Sequence, residues 1–426
     1  MIAQTVLPFK LEITDDEITA HAGLAVFGEF LRAMDVAGLL DRELPGPGSG
    51  AGYAASAHVL PLVLMLHGGG RSLEDLRQVR EDVGLRELLD LAAMPSSDAV
   101  GDWLRRMGEG RGLRGLDEVN RQVLRRALKR EATTDYTLDL DATQIVAEKR
   151  EARWTYKGER GYMPLVGHLA ENGLVVGHEF REGNASPQAG NKEFIEACAA
   201  EMPRGKRIAR VRSDSAGYQA AIFNWCEANG VTFAVGADLD AAVVAAIGSI
   251  PASDWRAYQE GWIAETVHSM NETKKAFRLV VVRRPAQGKL FGEEGPHERY
   301  KAIASNRDET AEETVAWYNQ RGEASENRIK ELKIGFGMAR MPCGEFGANA
   351  VFFGIGVLAY NLFVAFKQTA LPADWCRCQV QTLRWRLYQV AGKVVHHAGA
   401  LVLKVRRSAV ALLEEIRARS RELARA

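Results

Sequence analysis

The sequence predicts a mixed α/β protein with a mainly helical N-terminal region and a helical, basic tail. Three observations carry this. From Tyr136, "YTLDLDATQI" alternates apolar and polar residues at a period of two, as a half-buried strand does. Beyond it the pattern runs as three strands, helix, strand, helix, strand, which describes a mixed sheet whose first and fourth strands can lie side by side at the centre. On both sides of this block, apolar residues instead recur at three- and four-residue spacing.

The N-terminal region, 1–130, opens with a short strand-like "VLPFKLEI" and then reads as helix. "TDDEITAHAGLAVFGEFLRAMDVAGLL" has a Thr/Asp cap ahead of a helical pattern, and "SLEDLRQVREDVGLRELLDLAAM" repeats the arrangement from Ser72. "PGPGSGAGYAAS" between them reads as a loop. After "PSS" a short helix, "DAVGDWLRRM", ends in arginines, and two helices meeting at a tight turn with the second basic fit a helix-turn-helix. We expect this region to bind DNA or to dimerise.

The catalytic block is expected at 131–240 and 307–370. "MPLVGHLA" and "LVVGHEFREG", joined by "ENG", read as a hairpin, and "NKEFIEACAAEM" as helix. Strand "RIARVRSD", helix "GYQAAIFNWCEANG" and strand "VTFAVGAD" follow. Between them, 241–306 reads as a β insertion, with β-like runs around Trp262, Val280 and Ala302 and a glycine-rich loop "AQGKLFGEEGPHE". Helix resumes near Glu309 and carries "YNQRGEASENRIKELK". "EFGANAVFFGIGVLAYNLFVAF" is read as an apolar core helix and 371–426 as the tail.

With 46% hydrophobic and 26% charged residues the chain has ordinary globular composition, and 426 residues allow two or three domains. The apolar run after His58 is too short for a membrane span, and the N-terminus lacks the features of a signal peptide, so a soluble cytoplasmic protein is expected. Five cysteines, of which only Cys376 and Cys378 are close, read as reduced structural thiols. Acids and bases balance at 55 each, yet charge is uneven: Gly101 to Arg130 has nine Arg/Lys against four acids, and Trp375 to Arg407 has seven Arg/Lys and no acid. Such stretches suit surfaces that follow phosphates. In the tail Arg384 and Arg386 are the candidate DNA contacts. His168 and His178, near the hairpin, have no ligand spacing.

The chemistry lies in the carboxylates. Asp139 and Asp141 share one face of a strand, and Asp214 ends another just before a turn. Carboxylates gathered without His or Cys repel one another and suit hard divalent cations, Mg²⁺ or Mn²⁺. Two such ions, roughly 4 Å apart, would clamp the attacking and leaving oxygens of an in-line displacement at a phosphodiester. A third carboxylate must come from the later helix. There Glu326 and Lys333 lie about 20° apart on an ideal helix, with Tyr318 within about 80° of both.

"LDLDAT", "RVRSDS" and "YNQRGEASENRIKELK", in this order and with β structure before the last, resemble the DDE transposases of bacterial insertion sequences, whose third motif is tyrosine, arginine, glutamate, lysine. The resemblance covers Tyr136 to about Phe366. It implies an RNase H-like catalytic domain with an all-β insertion, two Mg²⁺ (or Mn²⁺) ions, and Asp141, Asp214 and Glu326 as catalytic metal ligands. Tyr318, Arg321 and Lys333 would contact DNA, and Trp255 and Trp262 could stack on a flipped base, with Arg283 and Arg284 near phosphate. Asp139 remains an alternative to Asp141, and Glu323 to Glu326. Four residues stand between Arg321 and Glu326 where the family commonly has three, which turns Arg321 by about 100° from its usual face. The implied protein is a DNA transposase that binds the inverted-repeat ends of its element, cleaves, and transfers 3′-OH ends to target DNA as a homodimer, without membrane, in the bacterial cytoplasm at the nucleoid. The alternatives are a nuclease of the same fold without strand transfer and an idle DNA-binding protein.

Overall fold

The computed structural model describes residues 9–48, 50, 52–91, 93–285 and 298–425, without the side chains of 298, 323 and 324. Strand β1 (Glu17–Thr19) precedes helices α1 (Ala22–Ala33) and α2 (Val36–Glu43). The pattern that reads as one helix is broken at Asp35, whose φ of 47° is left-handed, a conformation Asp tolerates and a helix interior does not. The apolar run after His58 lies in α3 (Ala55–Gly68), which ends in a left-handed Gly69. The long helix expected from Ser72 divides into α4 (Leu76–Glu81) and α5 (Val83–Leu88), because the Asp82 carboxylate accepts the Leu85 N–H at 2.9 Å and starts a new helix. Helices α6 (Ser97–Gly108) and α7 (Gly112–Leu128) complete the region. The strand expected at "VLPFKLEI" is not formed at residues 9–13, and its first residues lie outside those described.

The central sheet has nine strands among the described residues. β2 (Asp135–Ala142) continues into a small three-stranded sheet of β3 (Ile145–Val146), β4 (Arg153–Trp154) and β5 (Arg160–Tyr162). β6 (Leu165–Leu169) and β7 (Val175–Glu179) form the expected hairpin around a left-handed Gly173. Helix α8 (Asn191–Glu201) leads to β8 (Arg207–Ser213), and α9 (Ala220–Ala228) to β9 (Thr232–Gly236). β2 pairs in parallel with β8 and antiparallel with β6, so the first and fourth strands do lie side by side, in the middle of the part β9-β8-β2-β6-β7 but not of the whole sheet.

The segment 241–306 departs from an all-β insertion in two respects. It begins with helix α10 (Ala241–Gly248), and its strands β10 (Arg256–Tyr258), β11 (Gly261–His268), β12 (Phe277–Pro285) and β13 (Glu298–Ser305) extend the central sheet. β13 pairs antiparallel with β9, Ala304 opposite Val235, and the Ser305 hydroxyl donates to the Phe233 carbonyl at 2.7 Å. The glycine-rich loop lies outside the described residues.

Helix α11 (Ala311–Lys330) is followed by one wide π-turn, Glu331–Gly335, and by α12 (Phe346–Thr369). Every residue of α12 from Ala348 to Phe366 is buried. It is long and apolar enough to cross a membrane, but its apolar window is wholly inside the protein, between α3, α6 and α7 and the sheet. Asn361 binds it to the sheet edge as a further strand would: its Oδ1 accepts the Val175 N–H at 2.8 Å and its Nδ2 donates to the Val175 carbonyl at 2.9 Å. The tail is not simply helical. Between α13 (Val380–Leu383) and α14 (Arg407–Ala424) lies a hairpin, β14 (Gly392–His397) and β15 (Ala400–Val405), whose two-residue turn Ala398–Gly399 has positive φ at both positions. β14 also pairs with β1, joining the first strand to the tail.

Candidate active site

Asp139 and Asp141 leave β2 on the same face but meet different surroundings. The parallel register sets Asp139 opposite Arg212 on β8. Arg212 Nε and Nη2 reach its two carboxylate oxygens at 2.7 and 2.9 Å, and Nη1 donates to the Trp317 carbonyl at 2.7 Å. The pair is buried, with side chains 2% and 0% exposed. A fully buried carboxylate whose charge is already answered at both oxygens by a guanidinium is closed off from a cation.

Asp141 lies at the end of β2, and Asp214 just past the end of the adjacent β8, so the two carboxylates share the edge where parallel strands finish, the usual place for a site in such sheets. Asp214 Oδ1 accepts the Ala216 N–H at 3.1 Å, which fixes the turn after β8. Helix α11 crosses this edge against β2, β8 and β9. A capping box between Thr310 and Glu313 sets its start.

Arg321, from α11, enters between the two aspartates. Its Nη2 lies 3.1 Å from Asp141 Oδ1 and 3.7 Å from Asp214 Oδ2, and donates to the Leu140 carbonyl at 2.9 Å. The sequence reading turned Arg321 away from the face; in the structure it stands at the centre of the site, because the side chain follows Tyr318 by three residues and shares its side of the helix. Tyr318 is buried with its ring under Lys301 Nζ, 4.8 Å from the centroid, and its hydroxyl against the backbone of Gly236. Gly236 has no room for a side chain there: an added Cβ would lie 2.8 Å from the Tyr318 hydroxyl. Lys333, on the π-turn, donates to the Gln144 carbonyl at 2.6 Å and to Thr143 Oγ1 at 3.1 Å, just beyond Asp141.

The Asp141 carboxyl is raised to about 6. Burial is the main cause, Arg321 opposes it, the charges of Asp214 and Glu326 raise it further, and Lys333 lowers it. Glu326 is exposed, and its carboxylate is not gathered with those of Asp141 and Asp214 within 4.8 Å among the described residues. The Glu323 side chain is outside the described atoms. The Lys333 ammonium is lowered from its usual value chiefly by burial, with Asp141 acting against this and Lys157 adding to it.

The remaining candidates lie elsewhere. Arg384 is a correction: it is buried, its Nε donating to the His67 carbonyl at 2.8 Å and its Nη2 to the Leu66 and Gly335 carbonyls at 2.7 and 2.6 Å. It satisfies the open carbonyls at the end of α3, so it is not presented to DNA. Arg386 is exposed and stacked on Trp375, 4.2 Å from the ring centroid. Trp255 and Trp262 both face the Arg283 guanidinium, at 4.5 and 4.8 Å. His168 and His178 are enclosed, and burial lowers both imidazoles from their usual value.

The sequence matches the family described as Transposase DDE domain group 1 over residues 7–425. The chain belongs to this family. It is a DNA transposase, of a kind that cuts and joins DNA with divalent metal ions. No curated protein matches it. Among solved structures it is similar to the piggyBac transposase in a synaptic complex with hairpin DNA, at 11% identity and a TM-score of 0.48, over 88% of this chain and 82% of that one. In this transposase, sequence reasoning missed Arg212 and the seat of Lys333 at Thr143 and Gln144. Arg212 had a signal, since it stands two residues before Asp214 on an alternating strand; the carbonyl of Gln144 had none.

Proposed function

We propose that this is the transposase of a bacterial insertion sequence, which binds the inverted-repeat ends of its element, cleaves there, and transfers the 3′-OH ends to target DNA as a homodimer assembled on DNA in the cytoplasm. The observation that carries the site assignment is the sharing of one guanidinium by Asp141 and Asp214, at 3.1 and 3.7 Å, where the parallel strands β2 and β8 finish. Positive charge is what this edge of the sheet requires, and the donor set is all oxygen, which fits Mg²⁺ or Mn²⁺. The strand order β9-β8-β2-β6-β7, with β6 alone antiparallel to the others, supports an RNase H-like reading of the catalytic domain.

Divalent metal, as two ions held by Asp141, Asp214 and Glu326, would supply Lewis-acid stabilisation of an in-line displacement at phosphorus. The chain's own groups do the rest. Asp139, neutralised by Arg212, holds β2 and β8 in register so that Asp141 and Asp214 stay adjacent. Lys333, fixed against Gln144, offers its charge to a phosphate beside Asp141, and Tyr318, buried against Gly236, seats α11 on the end of β9. Arg321 is released toward phosphate when its carboxylate partners are otherwise neutralised. The exposed Arg111, Arg114 and Arg125 of the N-terminal region form no ion pair among the described residues and provide phosphate contacts to the element ends.

The test is cleavage of labelled DNA carrying the flanking inverted repeats, with Mg²⁺, Mn²⁺ or chelator, by wild type and by Asp141→Asn, Asp214→Asn and Glu326→Gln. Metal-dependent cutting at the repeat boundary by wild type, with all three variants binding but not cutting, is expected. Normal cutting by Glu326→Gln would move the third ligand to Glu323. Cutting of the repeat boundary with no joined product from pre-cleaved ends would favour a nuclease, and binding without any cutting an idle DNA-binding protein.

A further inference from the structure

The first strand, the short helix α5 and the tail hairpin meet at one place. β1 pairs antiparallel with β14, with Glu17 opposite Val394 and Thr19 opposite Gly392. Alternation then puts Glu17, Thr19, Val394 and His396 on one face of this sheet. That face lies on α5. The Thr19 hydroxyl donates to Asp82 Oδ2 at 2.6 Å, where the helix starts, and a Cβ added to Gly84 would lie 3.0 Å from the Val394 side chain. Glu87 follows Gly84 by three residues, one turn along the same side of the helix.

Three side chains from distant parts of the chain are thereby gathered. His396 Nε2 lies 3.1 Å from Glu87 Oε2, and Glu17, Glu87 and His396 each bring one ligand atom within 4.8 Å of the other two. Two carboxylates share one imidazole, and neither forms an ion pair with lysine or arginine among the described residues. Glu17 Oε2 is closed to water and accepts no hydrogen bond there. A buried carboxylate oxygen without a donor is costly unless a cation meets it.

We infer that Glu17, Glu87 and His396 form a site for a divalent transition ion of the Zn²⁺ class, which ties β1 and β14 to α5. An imidazole beside carboxylates suits Zn²⁺, whereas the all-oxygen set of Asp141 and Asp214 suits Mg²⁺. Three protein ligands leave a fourth tetrahedral position to water. Bonds of about 2.0–2.2 Å draw the ligand atoms somewhat closer than they stand, which the exposed Glu87 and His396 side chains allow. β1 has only three residues, so its pairing alone holds the first strand weakly. An ion bonded to strand, helix and tail together adds its binding free energy to their docking. No residue of the catalytic edge takes part, so the inference goes beyond the proposed function and does not depend on it.

The experiment uses full-length protein in a Cys376→Ser/Cys378→Ser background, which removes the thiols outside the core. It is dialysed against Zn²⁺ in excess Mg²⁺, which fills all-oxygen sites, and bound zinc is measured by atomic absorption. This parent is expected to retain zinc, with the affinity of Glu17→Gln, Glu87→Gln and His396→Gln lower by at least ~10-fold, the loss that even an outer partner of a ligand commands. Circular dichroism without metal checks that each variant is folded. Zn²⁺ should raise the thermal midpoint of the parent and of Asp141→Asn alike, and leave those of the three ligand variants unmoved. Zinc held equally by the parent and His396→Gln, or a parent midpoint indifferent to Zn²⁺, would overturn the proposal and leave His396 as an ion-pair partner of Glu87. A zinc response lost in Asp141→Asn would overturn it as well, by moving the ion to the catalytic edge.

Discussion

Arg212 meets both carboxylate oxygens of Asp139, at 2.7 and 2.9 Å, in a place closed to water. Two residues along the same strand, Asp141 shares the single Nη2 of Arg321 with Asp214. One strand thus carries a carboxylate whose charge is answered within the fold and another whose charge is answered in part. The first holds the sheet together, and the second keeps a capacity for cations.

Removing one member of the closed pair should be costly. Asp139→Asn leaves the Arg212 charge buried without its partner, an effect of about 3–5 kcal/mol. The double replacement Asp139→Leu/Arg212→Met should recover most of it, short of about 1–2 kcal/mol for the Trp317 carbonyl left unpaired. Urea unfolding monitored by circular dichroism checks this; an Asp139→Asn midpoint equal to that of wild type would contradict the buried pair.

At Asp141 the sign is reversed. Its folded value of about 6 lies above the 3.8 of the free side chain, so between these limits the native state binds more protons than the unfolded chain. Its penalty is absent below about pH 4, grows as pH rises, and is complete above about pH 6. Asp141→Asn should therefore be more stable than wild type at pH 7.5, by about 1–3 kcal/mol once partial solvent exposure is allowed for, and the advantage should disappear at pH 4. Denaturation of both proteins at the two pH values decides it, and an Asn variant weaker than wild type at pH 7.5 would refute the argument.

Arg321 supplies positive charge to Asp141 and Asp214 in the protein alone. Without it the two carboxylates repel with nothing between them, so Arg321→Gln should melt at a lower temperature than wild type in chelator. Added Mg²⁺ binds the native state and stabilises it by mass action, and it has more repulsion to relieve in the variant. The Mg²⁺-induced rise in Tm should therefore be larger for Arg321→Gln than for wild type. Equal rises would mean that the guanidinium and the cation do not serve the same charge.

The strands and the two hairpin partners β6 and β7 were legible because alternation and the "ENG" turn are local signals. The placing of Asp141 and Asp214 at neighbouring strand ends was legible for the same reason. The continuity of β11–β13 with the main sheet was not, since it depends on Ala304 meeting Val235 some seventy residues away. Arg384 shows the limit of reading charge runs: composition places it with the tail's cations, but only the fold brings it under the carbonyls of Leu66 and His67. The β14–β15 hairpin was readable in principle, as "VVHHAGALVLKV" sets two short runs rich in Val and Leu on either side of an Ala-Gly turn, but the surrounding helical pattern masks it.

His67 supplies the opposite pH dependence to Asp141. Its ring stacks on Phe27 with centroids 3.9 Å apart, its Nδ1 lies 2.9 Å from the Tyr388 hydroxyl and its Nε2 3.0 Å from the Ala359 carbonyl. An acceptor carbonyl at Nε2 places the proton there and leaves Nδ1 to accept from tyrosine. Burial lowers the imidazole to about 3, with the Arg384 charge acting in the same direction and the Ala359 bond against it. His58, stacked on Trp103, is lowered to about 4, again mainly by burial. Between these values and the 6.5 of free histidine the unfolded chain binds more protons, so stability is full above about pH 6.5 and declines as pH falls. At pH 5 the loss from His67 is about 2 kcal/mol. Because Asp141 gains stability over the same interval, the measurement belongs in an Asp141→Asn background. There His67→Gln should be less stable than its parent at pH 7.5 yet lose about 1–2 kcal/mol less on going to pH 5. An identical acid loss in both would assign the titration to another group and leave the buried imidazole without a part in it.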